Sequence, residues 1–157
     1  MEDKFEMKMM KSIVLITLAV AMTACSPKNT VPAGNRDILA DGWTLSREGA
    51  SETFAAQAPS TVAGTLADAG YFGEDLLVGR NYEKVDKTIF DDTWTYTTVF
   101  TGKPGKGQHA ELVFDGLNYY ADIFLNGKQL ASADTTFGVF IRRAYDVTGL
   151  LKGSNQL

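Results

Sequence analysis

Residues 121–131 read ADIFLNGKQLA, two short extended runs closed around the dipeptide Asn126-Gly127. A two-residue hairpin turn of type I′ needs positive φ at both central positions, which asparagine tolerates and glycine adopts freely. The dipeptide therefore predicts an antiparallel hairpin whose register is well specified. Side chains alternate along a strand, so Ile123 and Leu125 are expected to face the core, with Asp122 and Phe124 on the other side.

The same period of two continues on either side of the hairpin. In residues 93–100, Trp94, Tyr96, Thr98 and Phe100 point one way and Thr95, Thr97 and Val99 the other, which predicts a strand with an aromatic inner face. Residues 110–114 (AELVF) give a further strand. Between them, TGKPGKGQH (101–109) is rich in glycine, but it lacks the Gly-Lys-Ser/Thr ending of a phosphate loop and no helical pattern follows it. It reads as a surface connection. Residues 145–148 (YDVT) lead through Gly149 into what looks like a turn and a strand that has just begun at the chain's end.

From Trp43 onward, short alternating segments separated by turn signals are the pattern of an all-β sandwich. One short helix is expected within it, over residues 62–69. Ser60 or Thr61 can cap it, Val62, Leu66 and Ala69 share a face, and Gly70 supplies a left-handed stop.

The chain has 157 residues, a net charge of −4, one cysteine and one histidine, which suits one domain plus a targeting segment. A mildly acidic body with scattered basic residues carries no electrostatic footprint for nucleic acid. Lys8 and Lys11 precede the apolar run IVLITLAVAM (13–22), which has the length of a signal-peptide core and falls short of the roughly 20 residues a membrane span needs. The run ends in Met22-Thr23-Ala24-Cys25, which resembles the lipobox of bacterial lipoproteins, although Met22 stands where leucine is usual. The resemblance implies cleavage after Ala24 and lipidation of Cys25. Acidic Glu2, Asp3 and Glu6 are unusual in a signal, so translation can start at Met7, Met9 or Met10 instead. The expected organisation is a signal peptide over 1–24, a flexible tether over 25–37 and a folded domain over 38–157. Cys25 is the only cysteine, so the domain has neither a disulfide nor a cysteine-based metal site.

Four blocks in order carry a wider likeness: APSTV (58–62) with its helix, DLLVGRNY (75–82), the strand from Trp94 to Phe100, and DGLNYYADIFLNG (115–127). Gly138-Val-Phe140 and Tyr145-Asp-Val-Thr148 follow. Together they resemble the N-terminal sugar-binding domain of glycoside hydrolase family 2, in the subgroup of β-mannosidases and exo-β-glucosaminidases, over about residues 38–157. The resemblance implies a jelly-roll β-sandwich, galactose-binding-domain-like, which in full-length members precedes an immunoglobulin-like domain and a (β/α)₈ barrel.

Retaining glycosidases of this kind use two carboxyl groups about 5–5.5 Å apart. By the resemblance both lie on the barrel, which takes roughly 250 residues. The chain by itself is therefore not expected to hydrolyse glycosides, and no cofactor is implied. Adjacent acids Asp91-Asp92 and Glu74-Asp75 read as solvated turn positions, and His109 as an exposed residue with no second ligand near it in sequence. The resemblance also implies that the loop over 78–82 reaches the barrel's pocket and helps bind a terminal sugar. Asn81 is the leading candidate there, because an amide both donates to and accepts from sugar hydroxyls, with Arg80 and Tyr82 as companions. The bland alternative is a turn in which Asn81 tolerates an unusual backbone. Trp94 and Tyr96 read as core rather than as a sugar-stacking platform. Tyr119 and Tyr120 point to opposite faces if extended, so at most one is core.

The leading reading is thus the N-terminal sugar-binding domain of an exported exo-acting β-glycosidase, held at the bacterial cell envelope by lipid on Cys25. Its partners would be carbohydrate, the membrane, and the immunoglobulin-like and barrel domains of the same enzyme. Two other readings remain: a stand-alone carbohydrate-binding lipoprotein without catalysis, and an assembly role in which an unpaired sheet edge docks another chain.

Overall fold

The computed structural model describes residues 36–157 apart from Glu74 and Leu77. The predicted signal over 1–24, Cys25 and nearly all of the tether lie outside the described residues. Among the described residues eight strands form: β1 (Trp43–Arg47), β2 (Thr53–Ala56), β3 (Trp94–Thr101), β4 (Glu111–Phe114), β5 (Ile123–Leu125), β6 (Lys128–Ala131), β7 (Arg143–Asp146) and β8 (Ser154–Gln156). They pair antiparallel as a four-stranded sheet in the order β2-β1-β3-β8 and two two-stranded sheets, β4-β7 and β5-β6.

The β5-β6 hairpin turns through Asn126 at φ 53° and Gly127 at φ 80°, as the dipeptide predicts. Ile123 and Leu125 are buried and Phe124 is exposed. An irregularity between Ile123 and Phe124 shifts the register, so that Phe124 faces Gln129 while Ile123 faces Ala131. The C-terminal strand is formed and paired: Thr98 N–H donates to Leu157 O at 2.9 Å, and Leu157 N–H returns a bond to Thr98 O at 3.0 Å.

Strand β3 sits between β1 and β8, which explains its aromatic pattern. Its Trp94 and Tyr96 pack with Phe54 and Phe72 around buried Leu45, Leu66 and Ile89. Full burial of each of those three aliphatic side chains contributes roughly 1.5–3 kcal/mol. The tryptophan N–H groups stay paired inside this core: Trp94 Nε1 donates to Ile89 O at 2.9 Å, and Trp43 Nε1 to Leu39 O at 2.7 Å.

Helix α1 (Val62–Asp68) is capped by Thr61, whose hydroxyl accepts from Gly64 N–H at 3.0 Å. Ser60 instead bonds the hydroxyl of Thr65 at 3.1 Å. The inward face consists of Val62, Thr65 and Leu66; Ala69, expected there, is exposed at the C-cap. Gly70 takes the predicted left-handed conformation, φ 71°. Thr65 is buried despite its polarity because its hydroxyl also meets the Tyr96 hydroxyl, at 3.2 Å. Burial pushes the Tyr96 phenol up, and the bond to Thr65 offsets part of that.

One expectation is corrected. A single helix was expected, yet a one-turn helix α2 (Asn81–Lys84) and 3-10 turns at Lys87–Asp91 and Ala133–Thr135 are also present. No turn of three to five residues carries enough hydrophobic period to be read from sequence. Neither Tyr119 nor Tyr120 is core, within the expected limit of at most one: both are exposed, with rings edge to face at 6.1 Å. They lie outside any strand, so the alternation argument does not apply to them.

Candidate functional site

The connection between α1 and β3 builds a surface cleft of about 450 Å³. Gly79, at φ 59°, turns the chain into α2, and Asp86 caps the 3-10 turn that follows by accepting from Thr88 N–H at 3.0 Å and Thr88 Oγ1 at 2.7 Å. Those two bonds hold the Asp86 carboxyl below the usual aspartate range, the hydroxyl bond contributing most. Arg47 enters from β1, tied to Asp92 at 3.3 Å. Tyr71 and Phe72, edge to face at 5.3 Å, form the aromatic side of the cleft.

Asn81 lines this cleft, whereas Arg80 and Tyr82 are not among its lining residues. The Asn81 amide is engaged at both ends: Nδ2 donates to Asp75 O at 2.8 Å, and Oδ1 accepts from Lys84 Nζ at 3.1 Å. One Nδ2 hydrogen and one Oδ1 lone pair remain for a ligand, since an amide has two of each. The backbone of Asn81 is helical; the positive φ belongs to Gly79, so the strained asparagine of the alternative reading is not what makes the turn. Arg80 lies in solvent and clamps Glu83 through Nε at 2.8 Å and Nη2 at 2.5 Å. Tyr82 is exposed, with Lys87 Nζ 4.5 Å from its ring centre, within cation–π range.

The cleft therefore gathers an amide, two cations (Arg47, Lys84), two carboxylates (Asp86, Asp92) and an aromatic wall. Such a set can orient hydroxyl groups of a polar ligand. Arg47, Lys84 and Asp86 were not singled out from sequence, although the Asp86-Lys87-Thr88 spacing is itself a local capping signal. A second cleft, about 540 Å³, lies against β2 and α1, where Asp41 is bonded to Gln57 at 3.3 Å. Among the described residues, no three His, Cys, Asp or Glu side chains stand close enough together to hold a metal ion. Asp91 and His109 are exposed, as expected; Asp92 is exposed too, but it also lines the cleft and pairs with Arg47, and the other acidic pair is only half described, since Glu74 lies outside the described residues.

The profile of the family described as glycosyl hydrolase 2 galactose-binding domain-like matches residues 43–157, which contain every strand and the whole cleft. The chain belongs to this family. Among relatives, exo-β-D-glucosaminidase from Hypocrea jecorina is 34% identical over 125 residues, covering 77% of the chain and 14% of the enzyme. Beta-mannosidase A from Aspergillus niger is 37% identical over 143 residues, covering 87% of the chain and again 14% of the enzyme. Among solved structures, the β-D-mannosidase of Dictyoglomus thermophilum superposes with a TM-score of 0.64 at 26% identity, covering 75% of the chain and 14% of that protein. The chain thus spans about a seventh of the length of these relatives.

Proposed function

We propose that this chain is the sugar-binding domain of an exported, lipid-anchored exo-β-glycosidase of β-mannosidase or exo-β-glucosaminidase type. The observation that carries the reading is the family match across residues 43–157, together with relatives named for those two activities. In this reading the three sheets belong to a galactose-binding-like jelly roll, and the catalytic carboxylates sit on another domain of the enzyme. Asn81 hydrogen-bonds hydroxyls of the terminal sugar, and Arg80 and Tyr82 flank it. The remaining hydrogen-bond capacity of the Asn81 amide and its place on the cleft wall favour this role. The lipobox-like sequence ending in Cys25 supports lipidation and a place at the bacterial cell envelope.

The test is to express the product of the whole reading frame containing residues 1–157 and assay p-nitrophenyl β-mannoside and β-glucosaminide. Hydrolysis of one of them is expected. Asn81→Ala should lower kcat/KM about three- to tenfold, the effect of one or two neutral hydrogen bonds, with a melting temperature close to that of the parent. Unchanged turnover removes Asn81 from the site; no hydrolysis of either glycoside overturns the functional reading. Lipid on Cys25 is checked by labelled palmitate incorporation, which Cys25→Ser should abolish.

A further inference from the structure

Five large apolar side chains stand in solvent on two segments that meet. Phe140 is 95% exposed, and Tyr119, Tyr120, Phe137 and Ile141 are each about half exposed or more. Three contacts join the segments. Gly138 N–H donates to Tyr119 O at 2.9 Å, Arg142 pairs with Asp115 at 3.4 Å, and the space a side chain at Gly116 would need is taken by the Val139 carbonyl oxygen. Arg143 braces the second segment from within, donating to Phe137 O at 2.6 Å and Ile141 O at 3.1 Å.

Single exposed apolar residues are ordinary on a protein surface, but five of them gathered on two segments that meet mark a binding surface. The composition of this one selects the occupant. Phe137, Phe140 and Ile141 bring no polar group to fix the hydroxyls of a sugar, and Asp115, Arg142 and Arg143 are already bonded within the domain. Tyr, Phe and Arg at the expense of free charge is the make-up of the centre of a protein interface. The matched enzymes place more than four-fifths of their length outside the region this chain matches, since that region is 14% of each. Contacts between domains of one chain bury 600–1,500 Å² as a rule, and this domain must contribute its share from some face.

We propose that Tyr119, Tyr120, Phe137, Phe140 and Ile141 form the surface on which the remainder of the same glycosidase polypeptide packs. The inference rests on the reading of the chain as one domain of such an enzyme. It adds a face distinct in composition from the polar cleft at Asn81.

Hydrogen–deuterium exchange tests it by comparing the 157-residue chain with the product of the whole reading frame. Amides of residues 117–121 and 137–142 should exchange at least tenfold more slowly in the longer product. A Phe140→Ser, Tyr120→Ser double variant should lose that protection in the longer product and leave the melting temperature of the 157-residue chain unchanged. Equal exchange in both, in a longer product that still hydrolyses a β-glycoside, overturns this surface and leaves the functional reading standing. Dimerisation of the 157-residue chain that Phe140→Ser abolishes would assign the surface to a second copy and overturn the proposal. A reading frame that stops after Leu157 overturns both.

Discussion

The side-chain amides of Asn126 and Asn155 meet at 3.0 Å, the first at the tip of the β5-β6 hairpin and the second on β8. Asn155 is buried and uses both ends of its amide: Oδ1 accepts from Asn126 Nδ2 and from Lys152 N–H at 2.7 Å, while Nδ2 donates to Gly102 O at 2.9 Å and Lys152 O at 3.0 Å. Asn126 in turn donates to Leu150 O at 2.8 Å and accepts from Gln156 N–H at 3.0 Å. A single pair thus links the hairpin tip, the last turn and the last strand.

Asn155→Ala would leave several of these partly buried groups without a partner, and each such group costs about 1–3 kcal/mol. The expected loss is about 3 kcal/mol, or roughly 10 °C in melting temperature for a domain of this size. Asn126→Gly keeps the positive φ and loses only the amide, whereas Asn126→Ala loses both and should cost about 1 kcal/mol more. Urea titrations of the single and double variants give the coupling between the two asparagines directly; additive effects would show that the 3.0 Å contact contributes nothing of its own.

Gly116 is expected to tolerate no side chain. Its added Cβ would collide with the Val139 carbonyl oxygen, which lies on a turn that Arg143 braces on either side, at Phe137 O and Ile141 O. Gly116→Ala should cost about 2–3 kcal/mol. Gly105→Ala is the comparison: its Cβ would meet the tip of the Gln108 side chain at 2.9 Å, which can rotate away for about 1 kcal/mol or less. Equal unfolding midpoints for the two variants would contradict this account.

Asp146 should titrate below an ordinary aspartate. The Thr148 hydroxyl contributes most, the Thr148 N–H at 2.9 Å next, and the charge of His109 least. A carboxyl whose folded pKa lies below its unfolded value adds stability that is present above about pH 4 and is lost as pH falls through the folded value. Thr148→Val should move the Asp146 carboxyl midpoint upward, followed by carbon-detected NMR, and Thr148→Ser should leave it low. The Thr148 hydroxyl also accepts from Ala110 N–H at 3.0 Å, so the valine variant is expected to lose stability as well.

Legibility followed the range of the interactions. Asn126-Gly127, the Thr61 cap and the Gly70 stop each depend on neighbours a few positions away, and each stands where local chemistry put it. The alternation of Trp94, Tyr96 and Thr98 likewise showed which face of β3 is inward, because a pleated strand offers only two faces. Ala69 failed as a core residue because the helix ends one position before it, and Thr65 took its place only because Tyr96, far off in sequence, supplies a hydroxyl.

The candidate site was legible only in outline. Asn81 could be named from its block, but Arg47 reaches the cleft from β1 and Asp86 from the turn beyond α2, and nothing local announces that the two share a wall. Tyr119, Tyr120 and Phe140 could not be seen as one surface either, since the bond from Gly138 to Tyr119 joins segments about twenty positions apart. The positions of several strands along the chain, the hairpin turn and the helix cap were determined by residue chemistry acting over one or two turns of chain. The cleft, the exposed aromatic face and the Asn126–Asn155 contact were decided by tertiary structure, because each is a meeting of groups that only long-range β pairing brings within hydrogen-bond or packing distance.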